Sequence, residues 1–146
     1  MLIRIHIQNF LSFNKETTLS LYPGKGPGHD HVIRGEKRDD IPALKTAVVY
    51  GANASGKSNL VKAVAFMKHF VTRGFPSQKG IQYEPFKLSD DFNNPSKIEF
   101  EIKTNNNCYA YGADFTKEEV IEEWLVKLNK RTEQTVFPMG RSVRSP

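Results

Sequence analysis

The stretch that decides the fold is Gly51-Ala52-Asn53-Ala54-Ser55-Gly56-Lys57-Ser58. It carries the fixed residues of the phosphate-binding pattern G-x-x-x-x-G-K-[ST] at every required position. An apolar, β-branched run precedes it at residues 46–50, and apolar residues recur at helical spacing after it. The sequence therefore predicts a strand, a phosphate-binding loop and a helix in succession.

The residues of this loop have separable roles in binding a polyphosphate. The glycines let backbone N–H groups approach phosphate oxygens, and the N-terminus of the following helix adds unpaired N–H donors and a positive dipole end. Lys57 is expected to reach the β- and γ-phosphates, and the Ser58 hydroxyl to ligate Mg²⁺. We predict ATP or GTP with magnesium, which the local sequence does not distinguish. The predicted nucleotide-binding residues are Asn53, Ala54, Ser55, Gly56, Lys57, Ser58 and Asn59, with Ser58 as the magnesium ligand.

The residues before and after the loop predict the elements around it. Ile3, Ile5 and Ile7 alternate with polar residues, and a second alternating segment follows at 17–21. We therefore expect strands in 1–21, a Gly- and Pro-rich loop in 22–45, and the phosphate-loop strand, loop and helix in 46–74. Residues 46–50 are expected to form a central strand buried on both faces. The helix should be largely buried and end at Gly74.

The C-terminal part predicts an antiparallel β-meander over residues 97–138. Two alternating segments flank an asparagine-rich turn at 105–107. Residues 116–131 fit two structures, because Thr116 and Glu119 form a capping-box pattern while Trp124 and Leu128 share one face of a strand. We prefer the strand, because two strands lead into this segment and residues 136–137 can close the meander.

Composition indicates one domain of common size. The chain has 146 residues, of which 38% are hydrophobic and 25% charged. No apolar run approaches the roughly 20 residues that span a bilayer, so we expect a cytoplasmic protein. Cys108 stands alone, which excludes an internal disulfide and a multi-cysteine zinc site and predicts a small buried side chain. The net charge of +5 is scattered, so strong DNA binding is not indicated.

The acidic motif that P-loop enzymes use in hydrolysis is not evident in this sequence. Such a motif is a run of about four apolar residues that ends in Asp or Asp-Glu. The nearest candidate is residues 110–114, which end in Asp114 but contain Gly112 and fall in the predicted meander. We therefore assign no catalytic residue, and we expect the chain to bind nucleotide better than it cleaves it.

Three stretches resemble the N-terminal lobe of ABC-class ATPase heads of the RecF, SMC and OLD type. Residues 3–13 look like the first strand and turn of that lobe, and residues 51–59 look like its G-x-N-x-S-G-K-S-N loop. Residues 85–88, 95–100 and 120–125 look like the meander of bacterial AAA-type, ABC-like ATPases. This subgroup includes ATPase components of anti-phage systems, such as PtuA of Septu and AriA of PARIS. The likeness covers residues 1 to about 137.

The resemblance implies an α/β fold that binds Mg-ATP between two protomers in defence or DNA-linked functions. Complete heads add a second lobe with a signature motif, an acidic motif and a switch histidine, none of which stands in these 146 residues. The resemblance thus implies a truncated head, a fragment or a split protein. The implied partners are a second copy or higher homo-oligomer, a complementing lobe, an effector protein or DNA, and not a membrane. Many relatives have a basic residue at the position that Leu11 occupies in this chain.

Two other functions fit the same residues. A regulatory or interaction module can bind nucleotide without turnover, and the missing acidic motif supports that interpretation. A small P-loop kinase or GTPase would usually open directly on the phosphate-loop strand, whereas here two predicted strands come first.

Overall fold

A computed structural model of the chain describes residues 1–25, 30–33, 40–74, 80–89, 93–105, 107–129 and 133–140. Its elements, in chain order, are β1 (Leu2–Gln8), β2 (Thr17–Ser20), β3 (Val32–Ile33), β4 (Ala43–Leu44), α1 (Lys57–Arg73), β5 (Ser96–Thr104), β6 (Asn107–Phe115), β7 (Val120–Leu128) and β8 (Glu133–Gly140). In the described part of the chain, no helix has the length and hydrophobicity that crossing a bilayer demands.

Six strands form one antiparallel sheet in the order β2-β1-β5-β6-β7-β8, and β3 pairs with β4 separately. The predicted meander is confirmed, because β5, β6, β7 and β8 pair in sequence order with antiparallel register. Asn105 begins the β5–β6 turn with a φ of 51°, a left-handed angle that asparagine tolerates. Asn106 lies outside the described residues.

The ambiguous segment 116–131 is a strand over Val120–Leu128, as preferred from the sequence. The capping-box residues instead close the turn before it. The Thr116 hydroxyl accepts hydrogen bonds from the backbone N–H groups of Glu118 and Glu119, both at 3.2 Å. The capping geometry therefore forms in a turn, without a helix. The segment after this turn continues the sheet, where Trp124 and Leu128 are buried.

One face of the sheet carries the main core, and α1 packs against it. The helix contributes Ala63, Met67 and Phe70, all buried. We call this side the helix face, and the opposite side, which carries Arg4, His6, Glu99, Glu101 and Asp114, the polar face. Alternation along the strands separates the two sides. The β1–β5 register shifts between Leu2 and Arg4, and Ile3 there joins a second core instead of the main one. The sheet residues buried on the helix face are Ile5, Ile7, Ile98, Phe100, Ala113 and Phe115.

The prediction of a buried central strand at residues 46–50 is wrong. The structure has no strand there, and Val48 and Tyr50 are 82% and 91% exposed. A β-branched run becomes a strand only when neighbouring backbones pair with it, and the described sheet ends at β2 and β8 without reaching this segment.

The helix after the loop is confirmed, but its predicted burial is wrong. Gly74 ends α1 and donates its N–H to the Phe70 carbonyl at 2.8 Å. The sheet covers only one side of α1, so Val61 on the opposite side is 67% exposed. Val71, near the C-terminal end of the helix, is 54% exposed. Apolar side chains therefore remain exposed in residues 48–50, which directly precede the loop, and at Val61 in the N-terminal part of α1.

The predicted loop at 22–45 contains more structure than expected. In its described part, the pair β3–β4 forms, and Ile41 and Ala43 are buried in a second, smaller core. This core covers one end of the polar face and includes Cys108, which is 4% exposed as predicted. Burial raises the pKa of the Cys108 thiol. Residues 26–29 and 34–39 lie outside the described ranges.

Candidate functional site

The loop at residues 51–56 leads directly into the N-terminus of α1. Gly56 is the N-cap residue with a φ of 94°, a left-handed angle that favours glycine, and Ala54 has a φ of 64°. Among the described residues no side chain caps the helix, and its first turn holds no acidic residue. The Asn59 N–H donates to the Gly56 carbonyl at 2.9 Å, whereas the N–H groups of Lys57 and Ser58 have no acceptor among the described residues. These two amides can donate to an anion at the positive end of the helix dipole.

The side chain of Lys57 folds back over the loop. Its ammonium donates to the carbonyl oxygens of Gly51 at 2.7 Å and Ala52 at 2.5 Å, and it lies 3.4 Å from Ser55 Oγ. These neutral acceptors hold the cation close to the loop backbone. A phosphate placed at the loop would offer the same ammonium a charged acceptor, and charge-assisted hydrogen bonds are the stronger kind.

The seven residues predicted to bind nucleotide line one cleft. Its volume is about 360 Å³, and none of the residues that line it is acidic. Ser58 is exposed on the first turn of α1, where its hydroxyl is open to a ligand. The structure thus brings the predicted residues together, and their binding of nucleotide stays a prediction. The lining residues are Asn53, Ala54, Ser55, Gly56, Lys57, Ser58 and Asn59.

Sequence reasoning did not single out Ser12, which lies against the loop. A methyl group built on Gly56 would come within 2.8 Å of Ser12 Oγ. Ser12 sits in the turn after β1, next to Leu11, which packs against the main core instead of reaching the cleft. The only signal in the sequence was the position of Ser12 within the stretch 3–13 that carries the family resemblance.

Asp114, the nearest candidate for a catalytic acid, points away from the loop. Its neighbours Ala113 and Phe115 are buried on the helix face, so alternation places Asp114 on the polar face. There it pairs across strands with Lys97, at 3.8 Å between Lys97 Nζ and Asp114 Oδ1. Burial raises the pKa of Asp114, with Glu122 and Glu99 adding to the rise and Lys97 opposing it. The sheet therefore separates this carboxylate from the side where α1 packs.

The polar face holds a hydrogen-bonded network that the sequence did not predict. Glu101 is 2% exposed, pairs with the guanidinium of Arg4, and accepts a hydrogen bond from the Tyr22 hydroxyl at 2.5 Å. One ligand atom from each of His6, Glu99 and Glu101 lies within 4.8 Å of the others, a spacing that could hold a metal ion. Because both oxygens of Glu101 already have partners and Arg4 brings a positive charge, we interpret the group as an ion-pair network.

A glycine-rich loop, an uncapped helix start and a lysine over the loop are the features of an AAA-type, P-loop ATPase-like domain. The comparison with protein families agrees. Residues 47–145 match the family described as "AAA domain, putative AbiEii toxin, Type IV TA system". Because the match spans more than half of the chain, the chain belongs to this family, and an AAA domain indicates nucleotide binding. The search of curated proteins found no match.

Proposed function

We propose that this chain binds Mg-ATP through Asn53, Ala54, Ser55, Gly56, Lys57, Ser58 and Asn59. The observation that carries the proposal is the position of Lys57, whose ammonium lies on the loop carbonyls at the uncapped start of α1. A triphosphate would take the ammonium from these carbonyls and gain the first-turn amides as donors. The Ser58 hydroxyl would ligate the magnesium ion that bridges the phosphates.

We further propose that the chain works as the N-terminal lobe of an ABC-class ATPase head. The exposed apolar side chains of residues 48–50 and Val61 support this, because exposed apolar groups beside a binding loop favour a covering polypeptide. Residues 46–50 would join a sheet when such a polypeptide supplies a strand. The partner would be a complementing second lobe or another copy of the chain, with ATP held between two protomers.

The proposed setting is bacterial anti-phage defence or a DNA-linked process in the cytoplasm. The description of the matched family names a toxin of a toxin–antitoxin system, which accords with a defence-related setting. The narrower resemblance to PtuA of Septu and AriA of PARIS rests on the meander residues, and β5, β6 and β7 do pair as a meander. An effector protein would then be the partner that the ATP state controls.

A second candidate is a nucleotide-binding regulatory module that does not hydrolyse ATP. The observation that favours it is the placement of Asp114 on the polar face, together with a cleft whose lining residues include no acid. Binding groups and transition-state groups are distinct, and the described cleft offers only the former.

Binding and turnover measured on the same preparation separate the two candidates. A fluorescent ATP analogue reports binding, and phosphate release reports hydrolysis. An ATPase lobe should bind alone and acquire turnover when a polypeptide carrying the proposed second lobe is added. A regulatory module should bind and remain without turnover in the same mixture. Absence of binding in the wild-type chain would contradict both.

A further inference from the structure

Ser12 reaches the phosphate loop from outside the loop's own sequence motif. It belongs to the turn at residues 9–13 that follows β1, 44 positions before Gly56 in the chain. The close approach of Ser12 Oγ to Gly56 brings a hydroxyl to the residue that caps α1. Ser12 is therefore a neighbour of Gly56, beside the cleft that residues 53–59 line.

The turn that carries Ser12 is held in place on both sides. Phe10 and Phe13 exchange backbone hydrogen bonds of 3.0 and 2.9 Å, and the Leu11 N–H donates to the Glu84 carbonyl at 2.8 Å. The Phe10 ring contacts the Phe66 ring on α1, with centroids 5.1 Å apart. Ser12 is thus fixed relative to the helix whose N-terminus forms the cleft.

Asn9 anchors the base of the same turn. It has a φ of 49° and is 4% exposed, and its side chain donates to the Asn94 carbonyl at 2.6 Å. Its side-chain oxygen accepts the N–H of Phe86 at 3.1 Å. A buried asparagine with both ends bonded makes the turn rigid, so that Ser12 does not have to be ordered when a ligand arrives.

The Ser12 hydroxyl is available to a ligand. Ser12 is exposed, and within the described ranges its hydroxyl makes no hydrogen bond to the protein. The neighbouring Leu11 turns into the core, so Ser12 is the polar side chain that this turn offers at the loop. A hydroxyl donates readily to a phosphate oxygen, and a charged acceptor makes that bond stronger.

We propose that Ser12 is a further phosphate-binding residue, whose hydroxyl donates to an oxygen of the polyphosphate cradled by Gly56 and Lys57. The inference rests on the proposed nucleotide binding and adds a donor from outside the motif. Because the contact is made to phosphate, it contributes equally to the binding of ATP and of inorganic pyrophosphate. It does not depend on the base or the sugar.

Calorimetry with Mg-ATP and with magnesium pyrophosphate tests this role in Ser12→Ala and Ser12→Thr. Loss of one hydrogen bond to a charged phosphate oxygen should weaken both ligands about tenfold to a hundredfold in Ser12→Ala. Ser12→Thr keeps the hydroxyl and should bind within about twofold of wild type. The matched control is Ser20→Ala, an exposed serine on β2 whose hydroxyl bonds only to the Tyr22 N–H among described groups, and it should leave both affinities unchanged.

Three results would overturn the inference. Unchanged affinity in Ser12→Ala would show that the hydroxyl does not bind phosphate. A loss of affinity in Ser12→Thr but not in Ser12→Ala would assign the contact to packing alone. A loss for ATP with none for pyrophosphate would place the effect elsewhere on the nucleotide. Lys57→Ala separates this inference from the proposed function. If Lys57→Ala loses binding and Ser12→Ala does not, the inference alone fails, whereas a wild-type chain that binds neither ligand overturns both.

Discussion

The indole ring of Trp124 lies directly over Gly112 on the neighbouring strand, so that a methyl group on Gly112 would come within 2.2 Å of the ring. The missing side chain lets the indole cross β6 and donate its N–H to Glu99 Oε2 on β5, at 2.7 Å. The ammonium of Lys97 lies 4.8 Å from the centre of the same ring. One glycine thus allows three strands to be joined across the polar face.

Gly112→Ala should destabilise the fold. The added methyl group must displace the buried Trp124 ring or the strand beneath it, and overpacking of this kind costs about 1–3 kcal/mol. Urea unfolding followed by Trp124 fluorescence measures the change. The matched control is Gly24→Ala, where nothing lies within 4 Å of the new methyl group. Equal unfolding free energies for the two variants would show that the ring does not occupy this position.

Asp114→Asn should stabilise the protein at neutral pH. The pKa of Asp114 is raised in the fold, so the folded state disfavours the ionised carboxylate relative to the unfolded chain. This penalty is absent below the unfolded pKa of about 4 and complete above the folded pKa. The gain in melting temperature should therefore be present at pH 7 and disappear as the pH falls below about 4.

The control for the pH dependence is Glu118→Gln, which neutralises an exposed carboxylate in the turn after β6. It should change the melting temperature less than Asp114→Asn at pH 7. A destabilised Asp114→Asn at neutral pH would mean that the Lys97 pair outweighs burial and the nearby carboxylates.

Val48→Asp should leave the stability of the isolated chain within about 0.5 kcal/mol of wild type, because surface substitutions away from special features have small effects. The side chain is 82% exposed and lies outside the sheet. Ile98→Ala, at a fully buried position of the main core, should cost about 2–5 kcal/mol in the same urea experiment. A comparable loss of stability in Val48→Asp would indicate that residues 46–50 form the buried central strand that the sequence predicted.

The sequence predicted the strands correctly where each strand pairs with another strand of this chain. Ile3, Ile5 and Ile7 predicted β1, and the alternation through β5, β6 and β7 predicted the meander, because both segments find their strand partners in this sequence. Residues 46–50 have the same β-branched composition but no described strand partner, so composition alone predicted the wrong structure. Burial of a strand depends on contacts that a local pattern does not contain.

Only the part of the candidate site that is formed by consecutive residues could be predicted from the sequence. A fixed motif places Gly56, Lys57 and Ser58 together because they are consecutive in the chain. The approach of Ser12 to Gly56 depends on how the β1–β2 turn packs against α1, which no spacing rule encodes. The polar-face network, with Arg4 and Tyr22 on Glu101, depends likewise on strand register between distant segments.

The 146-residue chain alone should show no ATP hydrolysis above a Lys57→Ala control, even under conditions where it binds Mg-ATP. The cleft residues hold ground-state phosphates, and Asp114 lies on the opposite face of the sheet from the packed helix. Phosphate release under saturating Mg-ATP measures this. Robust turnover that is lost in Lys57→Ala would show that an acid outside the described cleft is catalytic.

The central claim is that Lys57 and the loop around it bind the phosphates of Mg-ATP, and titration calorimetry of Lys57→Ala against wild type tests it most directly. Removing an ammonium that contacts phosphate deletes charge-assisted bonds worth about 1.5–3 kcal/mol each, so affinity should fall at least about tenfold. Lys62→Ala, which removes an exposed lysine from the same helix, should bind as wild type does. Equal Mg-ATP affinity in Lys57→Ala and wild type would contradict the account.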